Sequence, residues 1–158
     1  MATDEQLTFA DHAGRYYTNA YRIPPVAGRL IGYLAVCEPA EQTINDLAEA
    51  LLASRSAITG AVKMLEPFHV IRRARAAGER VDRITLDPAA LEPQGFTPEP
   101  YQQMASLARE GLAIVKDQDR RAMLRELAGL GDFLAKRMPE VMNEWRALRA
   151  AQHQGKAQ

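Results

Sequence analysis

The chain has 158 residues, of which 47% are apolar and 25% charged, an ordinary balance for a soluble globular protein. Its 20 basic and 20 acidic residues cancel, so the net charge indicates no class of partner. A single cysteine excludes an intramolecular disulfide and a cysteine-rich zinc site. No stretch resembles a signal peptide or a membrane span of about 18 apolar residues. These features predict a cytoplasmic protein without a membrane segment.

The charge is unevenly distributed along the chain. Residues 54–83 contain seven basic and three acidic residues, a local charge of +4 that the rest of the chain offsets. A basic window in a neutral chain is a weak but directional signal for nucleic acid.

The first two predicted elements are helices. Residues 4–21 place apolar side chains at steps of three and four, the period of an amphipathic helix. Pro24 or Pro25 suits the first turn of a second helix, because the missing N–H costs nothing there. Pro39 ends this second helix.

Two shorter helices follow with clear start signals. Thr43 and Asp46 have the spacing of a capping pair for a helix over about 43–51. Ser54 is a good N-cap for a helix over about 54–65. Two short helices joined by a tight turn are typical of a helix-turn-helix.

The period changes after Pro67. Two β-compatible runs within residues 70–86 flank the turn sequence "AAGE", and Pro88 closes the second run. This pattern predicts a β-hairpin, which converts the helix-turn-helix into a winged helix-turn-helix.

The second half of the chain is predicted to be helical. Four of the nine prolines lie in residues 87–100, which indicates a connector. Residues 101–130 form a long helical pattern that we expect Gly129 and Gly131 to break, and a final helix follows with a kink or restart at Pro139. These helices carry more apolar surface than one small domain covers, so we expect them to pack on a second copy.

The predicted fold class is therefore mostly α with a small β-hairpin wing, a winged helix-turn-helix plus long dimerisation helices. Residues 22–90 would form the DNA-binding domain, and residues 1–21 and 98–150 a helical dimerisation region. Residues 151–158 would be a disordered tail.

The helix over 54–65 has two distinct faces. The apolar positions follow the period of a buried stripe: Ile58, Ala61, Val62 and Leu65. The opposite face is small and hydrogen-bonding, with a cation near each end: Arg55, Ser56, Thr59, Gly60 and Lys63. Arg55 suits a base edge in the major groove, and the hydroxyl groups suit phosphates. An ordinary amphipathic surface helix is the alternative interpretation of this pattern alone.

The hairpin favours the DNA-binding interpretation, because five arginines lie within twelve residues. A solvated edge strand protected by charge is the alternative there. The candidate DNA-binding residues are Thr43, Ser54, Arg55, Ser56, Thr59, Lys63, Arg72, Arg73, Arg75, Arg80 and Arg83.

Three segments resemble the GbsR-like branch of the MarR superfamily of winged helix-turn-helix regulators. They are "PPVAGRLIGYL", the run "LAEALLASRSAITGAVKMLE" and the hairpin that follows "VIRR". The chain departs from the family pattern at "PFHVIRR", where a glycine and a short hydrophobic turn are usual, and at "GERVDR" in the wing. The resemblance implies a homodimeric bacterial transcription regulator, a repressor, with double-stranded DNA as its partner and no cofactor. It also implies a recognition helix over 54–65, a wing tip near residues 77–80 and dimerisation through the terminal helices.

Aromatic and sulfur side chains suggest an effector pocket between the first helix and the C-terminal helices. The residues concerned are Tyr16, Tyr17, Tyr21, Met142 and Trp145. Regulators of this superfamily bind small molecules between their dimerisation helices and their DNA-binding lobe. The alternative is that these residues form the dimer core.

The other polar residues predict no further site. Cys37 is either an oxidation sensor or a small buried hydrophobe. The three histidines are too widely spaced for a metal site, and no catalytic motif occurs, so we expect neither a metal nor an enzyme. Two functions compete with DNA binding: a winged helix used for protein–protein assembly, and a ligand-binding module that has lost DNA contact.

Overall fold

The computed structural model describes residues 1–75, 77–87 and 96–155. The elements in chain order are α1 (Asp4–Tyr21), α2 (Pro25–Val36), α3 (Ile44–Ala50), α4 (Arg55–Leu65), β1 (Ile71–Ala74), β2 (Arg83–Leu86), α5 (Glu99–Ile114) and α6 (Gln118–Gly155). The chain divides into two compact units, Met1–Glu92 and Pro93–Gln158. The predicted fold class, mostly helical with a small antiparallel hairpin, is confirmed.

In the first unit α1 packs along α2 through very small residues. A Cβ atom on Gly28 would lie 2.9 Å from the Cα atom of Gly14, and one on Gly32 would overlap the side chain of Ala13. Only glycine lets the two backbones approach this closely. Helix α1, which the sequence analysis assigned to the dimerisation region, is therefore packed into the same unit as the helix-turn-helix.

A single hydrophobic core joins the helix-turn-helix to the hairpin. Its largest fully buried side chains are Leu30, Leu47, Leu51, Ile58, Val62 and Ile84, which come from α2, α3, α4, β2 and the start of the α3–α4 turn. The predicted inward stripe of α4 is confirmed, since Ile58, Ala61, Val62 and Leu65 are all buried. This burial fixes which side of α4 points outward.

The caps predicted for α3 and α4 are present. Thr43 and Asp46 form a reciprocal capping box, and the Ser54 hydroxyl accepts a hydrogen bond from the Ala57 amide at 3.1 Å. Between the helices Leu52 has φ of 50°, in the left-handed region that favours glycine. These features produce the tight turn that orients α4 against α3.

The hairpin is antiparallel, with Ile71 opposite Leu86 and Ala74 opposite Arg83. Gln42 extends the sheet, because its amide donates to the Ile84 carbonyl at 3.0 Å and its carbonyl accepts from the Ile84 amide at 2.7 Å. The wing is thereby attached to the segment that leads into α3. Pro88, predicted to close the hairpin, lies outside the described residues.

In the second unit α5 and α6 are antiparallel, and the predicted helix break is wrong. The break lies at residues 115–117, and α6 continues through Gly129, Gly131 and Pro139. Asp117 explains the new start, because its carboxylate accepts from the Arg120 amide at 2.9 Å. Gly131 is a packing residue, since a Cβ atom there would lie 2.7 Å from the Tyr101 carbonyl oxygen.

Helix α6 also extends further than expected. It reaches Gly155, five residues into the segment 151–158 that was predicted to be a disordered tail. Alanine and glutamine in this stretch are good helix formers, which accounts for the extension. Residues 156–158 lie outside the described part of the chain.

Candidate nucleic-acid interface

The outward face of α4 carries two cationic side chains and several short polar ones. Arg55, Ser56, Gly60 and Lys63 are exposed, and Thr59 is half-buried. The Thr59 hydroxyl donates to the Arg55 carbonyl at 2.8 Å, and the Ser54 and Ser56 hydroxyl oxygens are 3.0 Å apart. The hydroxyl groups therefore lie against their own helix, while the two cationic side chains project from it.

The hairpin arginines differ, because most of them are held by carboxylates. Arg72 is 3.0 Å from Asp87, whose side chain is buried. Arg75 is 2.8 Å from Asp82. Arg83 donates two hydrogen bonds of 3.1 Å to Glu79. The acidic residues were not among the sequence-predicted site residues, yet they determine what these arginines contact.

Arg73 connects α4 to the wing. Its Nε lies 3.2 Å from Glu66 at the C-terminal end of α4, and its Nη1 lies 3.8 Å from Asp82, which immediately precedes β2. These contacts orient the hairpin relative to α4. Arg73 is therefore placed to position the wing.

Ion pairing leaves three cations of the basic window available. Within the described ranges, Arg55, Lys63 and Arg80 make no ion pair. Two of them project from α4, and Arg80 lies at the end of the wing beside the turn that contains Gly78. Three of the four net positive charges of residues 54–83 thus lie on the outward helix face and at the wing tip, and the fourth, on Arg72, is paired with Asp87.

The pairing also shifts the ionisation of the wing residues. Its hydrogen bond to Asp87 raises the pKa of Arg72, and the bonds to Glu79 raise the pKa of Arg83. Conversely, Arg83 lowers the pKa of the Glu79 carboxyl group. These shifts favour the charged forms of Arg72, Glu79 and Arg83.

Thr43, a candidate DNA-binding residue, has its hydroxyl group fully engaged in the capping box. It donates to Asp46 Oδ2 at 2.7 Å and accepts from the Asp46 amide at 3.1 Å. Hydrogen bonds from the Thr43 backbone and side chain lower the pKa of Asp46. The contacts of Thr43 are therefore those of a residue that holds α3.

Arg29 is a supporting residue that the sequence analysis missed. Its Nε lies 2.6 Å from Asp11 on α1, and its Nη1 donates to the Leu51 carbonyl at 3.0 Å. It thereby connects α1 and α2 to the turn that precedes α4. No local pattern signals this role, because its partners are distant along the chain.

The residues of the predicted effector pocket fall in both units. Tyr16, Tyr17 and Tyr21 form an aromatic cluster on α1, with ring centroids 5.1 to 6.3 Å apart. Burial raises the pKa of Tyr17. Met142 is buried and Trp145 is partly exposed, both on α6 of the second unit. The pocket stays a prediction.

Other sites are not indicated. Cys37 is buried and burial raises the pKa of its thiol, which favours the packing interpretation over the oxidation sensor. The described part of the chain contains no group of acidic, histidine or cysteine side chains arranged to hold a metal ion. Across the same residues, no helix has the length and apolar character needed to span a membrane.

Comparisons with known proteins agree with this architecture. Residues 98–149 match the family model of the MmpR5-like MarR family transcriptional regulators. The chain is 36% identical over 90 residues to the HTH-type transcriptional regulator MmpR5 of Mycobacterium tuberculosis, an alignment that covers 57% of this chain and 54% of that protein. The chain therefore spans about half the length of this relative.

A solved structure matches over nearly the whole chain. The crystal structure of a transcriptional regulator superposes with a TM-score of 0.77 at 27% identity, covering 90% of this chain and 99% of the other. The chain is thus similar over its matched residues to MmpR5-like MarR family transcriptional regulators, and its fold is similar to that of a solved transcriptional regulator.

Proposed function

We propose that the protein is a dimeric DNA-binding repressor of transcription that acts in the cytoplasm. The observation that carries this proposal is the placement of the cations without ion pairs. Arg55 and Lys63 project from the outward face of α4, and Arg80 lies at the wing tip. A helix fits the major groove of B-DNA, which is about 12 Å wide, and a hairpin beside it reaches the flanking backbone. The relatives, which are transcriptional regulators, support the same function.

The candidate residues take different roles in this proposal. Arg55, at the N-terminal end of α4, reads a base edge, and Lys63 and Arg80 contact phosphates. Ser56 contributes a hydroxyl group at the same face. Ser54, Thr59 and Thr43 hold the helices through the hydrogen bonds described above. The paired arginines hold the wing in place: Arg72, Arg73, Arg75 and Arg83.

The proposed dimer forms through the helices of the second unit. These helices expose many large apolar side chains, among them Leu107, Ile114, Met123, Leu130, Phe133 and Leu148. Exposed apolar surface of this extent marks an interaction site. Two copies would present their α4 helices about 34–36 Å apart, to successive major grooves of a pseudo-palindromic site.

Two finer points of the proposal rest on the sequence. Assignment to the GbsR-like branch depends on the three segments that resemble it, whereas the matched family model is MmpR5-like. Control by a small molecule depends on the predicted pocket of Tyr16, Tyr17, Tyr21, Met142 and Trp145.

The test is an unbiased selection of bound fragments from random duplex DNA, followed by titration of the selected site at several salt concentrations. We expect a two-fold related sequence to be enriched. The affinity should fall steeply between about 50 and 200 mM salt, because phosphate contacts release counterions. Failure to enrich any sequence, together with an affinity that does not depend on salt, would contradict the proposal.

Protein–protein assembly through α4 is less well supported. Such an interface is depleted of charged residues at its centre and enriched in apolar and aromatic ones. Here the exposed face of α4 has a cation near each end, short polar residues between them and one large apolar side chain, Met64. This composition favours a polyanion.

A further inference from the structure

Gly60 is exposed in the middle of α4, where glycine destabilises a helix relative to alanine. A Cβ atom built on Gly60 meets nothing within 4 Å. Packing within the described part of the chain therefore does not account for glycine at this position.

Most other helical glycines have a reason within the fold. A Cβ atom would lie 2.7 Å from Arg29 at Gly14, and 2.7 Å from the Tyr101 carbonyl at Gly131. Among the helical glycines whose surroundings are described, Gly129 on α6 is the other exposed one with open space around it. Gly60 differs from Gly129 in its surroundings, because it lies between the two unpaired cations of α4.

Short side chains border Gly60 on one side, and the exposed Met64 lies one helical turn further along α4. The Thr59 hydroxyl bends back to the Arg55 carbonyl at 2.8 Å, and the Ser56 hydroxyl lies 3.0 Å from that of Ser54. Along the helix axis, Arg55 and Lys63 are eight residues apart, a rise of about 12 Å, and Gly60 lies between them. The backbone at Gly60 is thus exposed between two cations along the helix axis, beside the side chain of Met64.

We propose that DNA makes its closest approach to the recognition helix at Gly60, so that a base edge or sugar contacts the helix backbone where a Cβ atom would otherwise stand. This inference rests on the proposed function and names the residue that sets the depth of α4 in the groove. Gly60 acts by steric fit and contributes no charge.

The test compares Gly60→Ala with the matched control Gly129→Ala in the full-length protein. Both substitutions enter open space, so each should raise Tm by about 2–4 °C through better helix propensity. We expect Gly60→Ala to weaken binding to the selected site about tenfold, equivalent to about 1.4 kcal/mol. Gly129→Ala should bind like the wild type. The salt dependence should be the same in all three proteins, because no phosphate contact is removed.

The outcomes are separable. If Gly60→Ala binds the selected site as tightly as the wild type, this inference is wrong while the proposed function stands. If both variants lose affinity alike, with the same molecular mass in solution as the wild type, the loss is not specific to Gly60 and the inference is also wrong. If the wild type and Gly129→Ala select no DNA at all, the proposed function itself fails.

Discussion

The outward face of α4 and the hairpin wing are both rich in basic residues, but they use them differently. On α4, Arg55 and Lys63 make no ion pair within the described residues, whereas in the hairpin Arg72, Arg75 and Arg83 each face a carboxylate. A count of basic residues treats the two regions alike. The partners of a charge, and not only its presence, therefore decide whether it is available to a ligand.

The difference has a local cause. Side chains of a helix meet at spacings of three and four, and no acidic residue stands at these spacings from Arg55. Glu66 lies three positions after Lys63, but it pairs with Arg73 of the hairpin. In the hairpin, the antiparallel pairing brings Asp82 beside Arg73 and Arg75. Exposed ion pairs of this kind stabilise a protein by only about 0–1 kcal/mol. Their main effect is therefore on where the arginine side chains point and on whether they are available to a ligand.

The largest expected effect of a single change on the helix side is that of Arg55→Ala. A good contact between arginine and guanine is worth about 1–3 kcal/mol of discrimination. We therefore expect the variant to bind the selected site and unrelated DNA with more similar affinities. Competition between the two DNAs at fixed salt measures this ratio.

Lys63→Ala is the matched control for Arg55→Ala, since it removes one cation from the same face. It should weaken binding to all sequences alike and reduce the salt dependence. If Arg55→Ala keeps the full ratio between selected and unrelated DNA, Arg55 does not read a base.

The next largest effect is on the stability of the fold and concerns Thr43. The sequence analysis named this residue both as a helix cap and as a candidate DNA-binding residue. Thr43→Ala should lower the free energy of unfolding by about 0.5–2 kcal/mol through loss of the cap, and leave the salt dependence of DNA binding unchanged. Denaturant unfolding and a salt titration of the same variant measure both quantities. A reduced salt dependence would show that Thr43 contacts phosphate.

The free energy of unfolding that is lost in Thr43→Ala should depend on pH. Hydrogen bonds from Thr43 lower the pKa of Asp46 in the folded protein. The stabilisation by the bonds between Thr43 and Asp46 is therefore complete above the ordinary aspartate pKa. It is lost as the pH falls through the lowered pKa of Asp46. The difference between the wild type and Thr43→Ala should shrink in acid.

Local signals determine how well each region could be predicted. The cap at Ser54 and the buried stripe of α4 are encoded within twelve residues, so the helix and its inward face were predicted correctly. The role of Gly131 depends on Tyr101, thirty positions earlier, so its sequence context indicated a helix break where the structure has a close contact. The pairing of Arg73 with Glu66 and Asp82 likewise forms only once the hairpin has folded.

A smaller effect on DNA affinity should distinguish the unpaired arginine of the wing from the paired ones. Arg80→Gln should weaken DNA binding several-fold and reduce the slope of log affinity against log salt by about 0.9 for each copy in contact. Arg75→Gln, which removes the same charge from a residue paired with Asp82, should leave the slope nearly unchanged. Salt titrations of both variants on the selected site provide the measurement. Equal slopes for the two variants would remove the distinction between paired and unpaired arginines.

The smallest expected effect is a gain in affinity for DNA. Glu79→Gln removes the carboxylate that holds Arg83 through two hydrogen bonds of 3.1 Å, and it removes a negative charge from the wing tip. Because an exposed pair is worth at most about 1 kcal/mol, we expect affinity to rise by no more than about fivefold, with a steeper salt dependence. Glu5→Gln on α1 changes the net charge equally and should leave binding unaltered, which separates a local effect from a global one. If Glu79→Gln instead weakens binding, Arg83 contacts DNA only while Glu79 holds it in place. The availability of an arginine to DNA would then depend on the geometry of its ion pair and not on whether it has a partner.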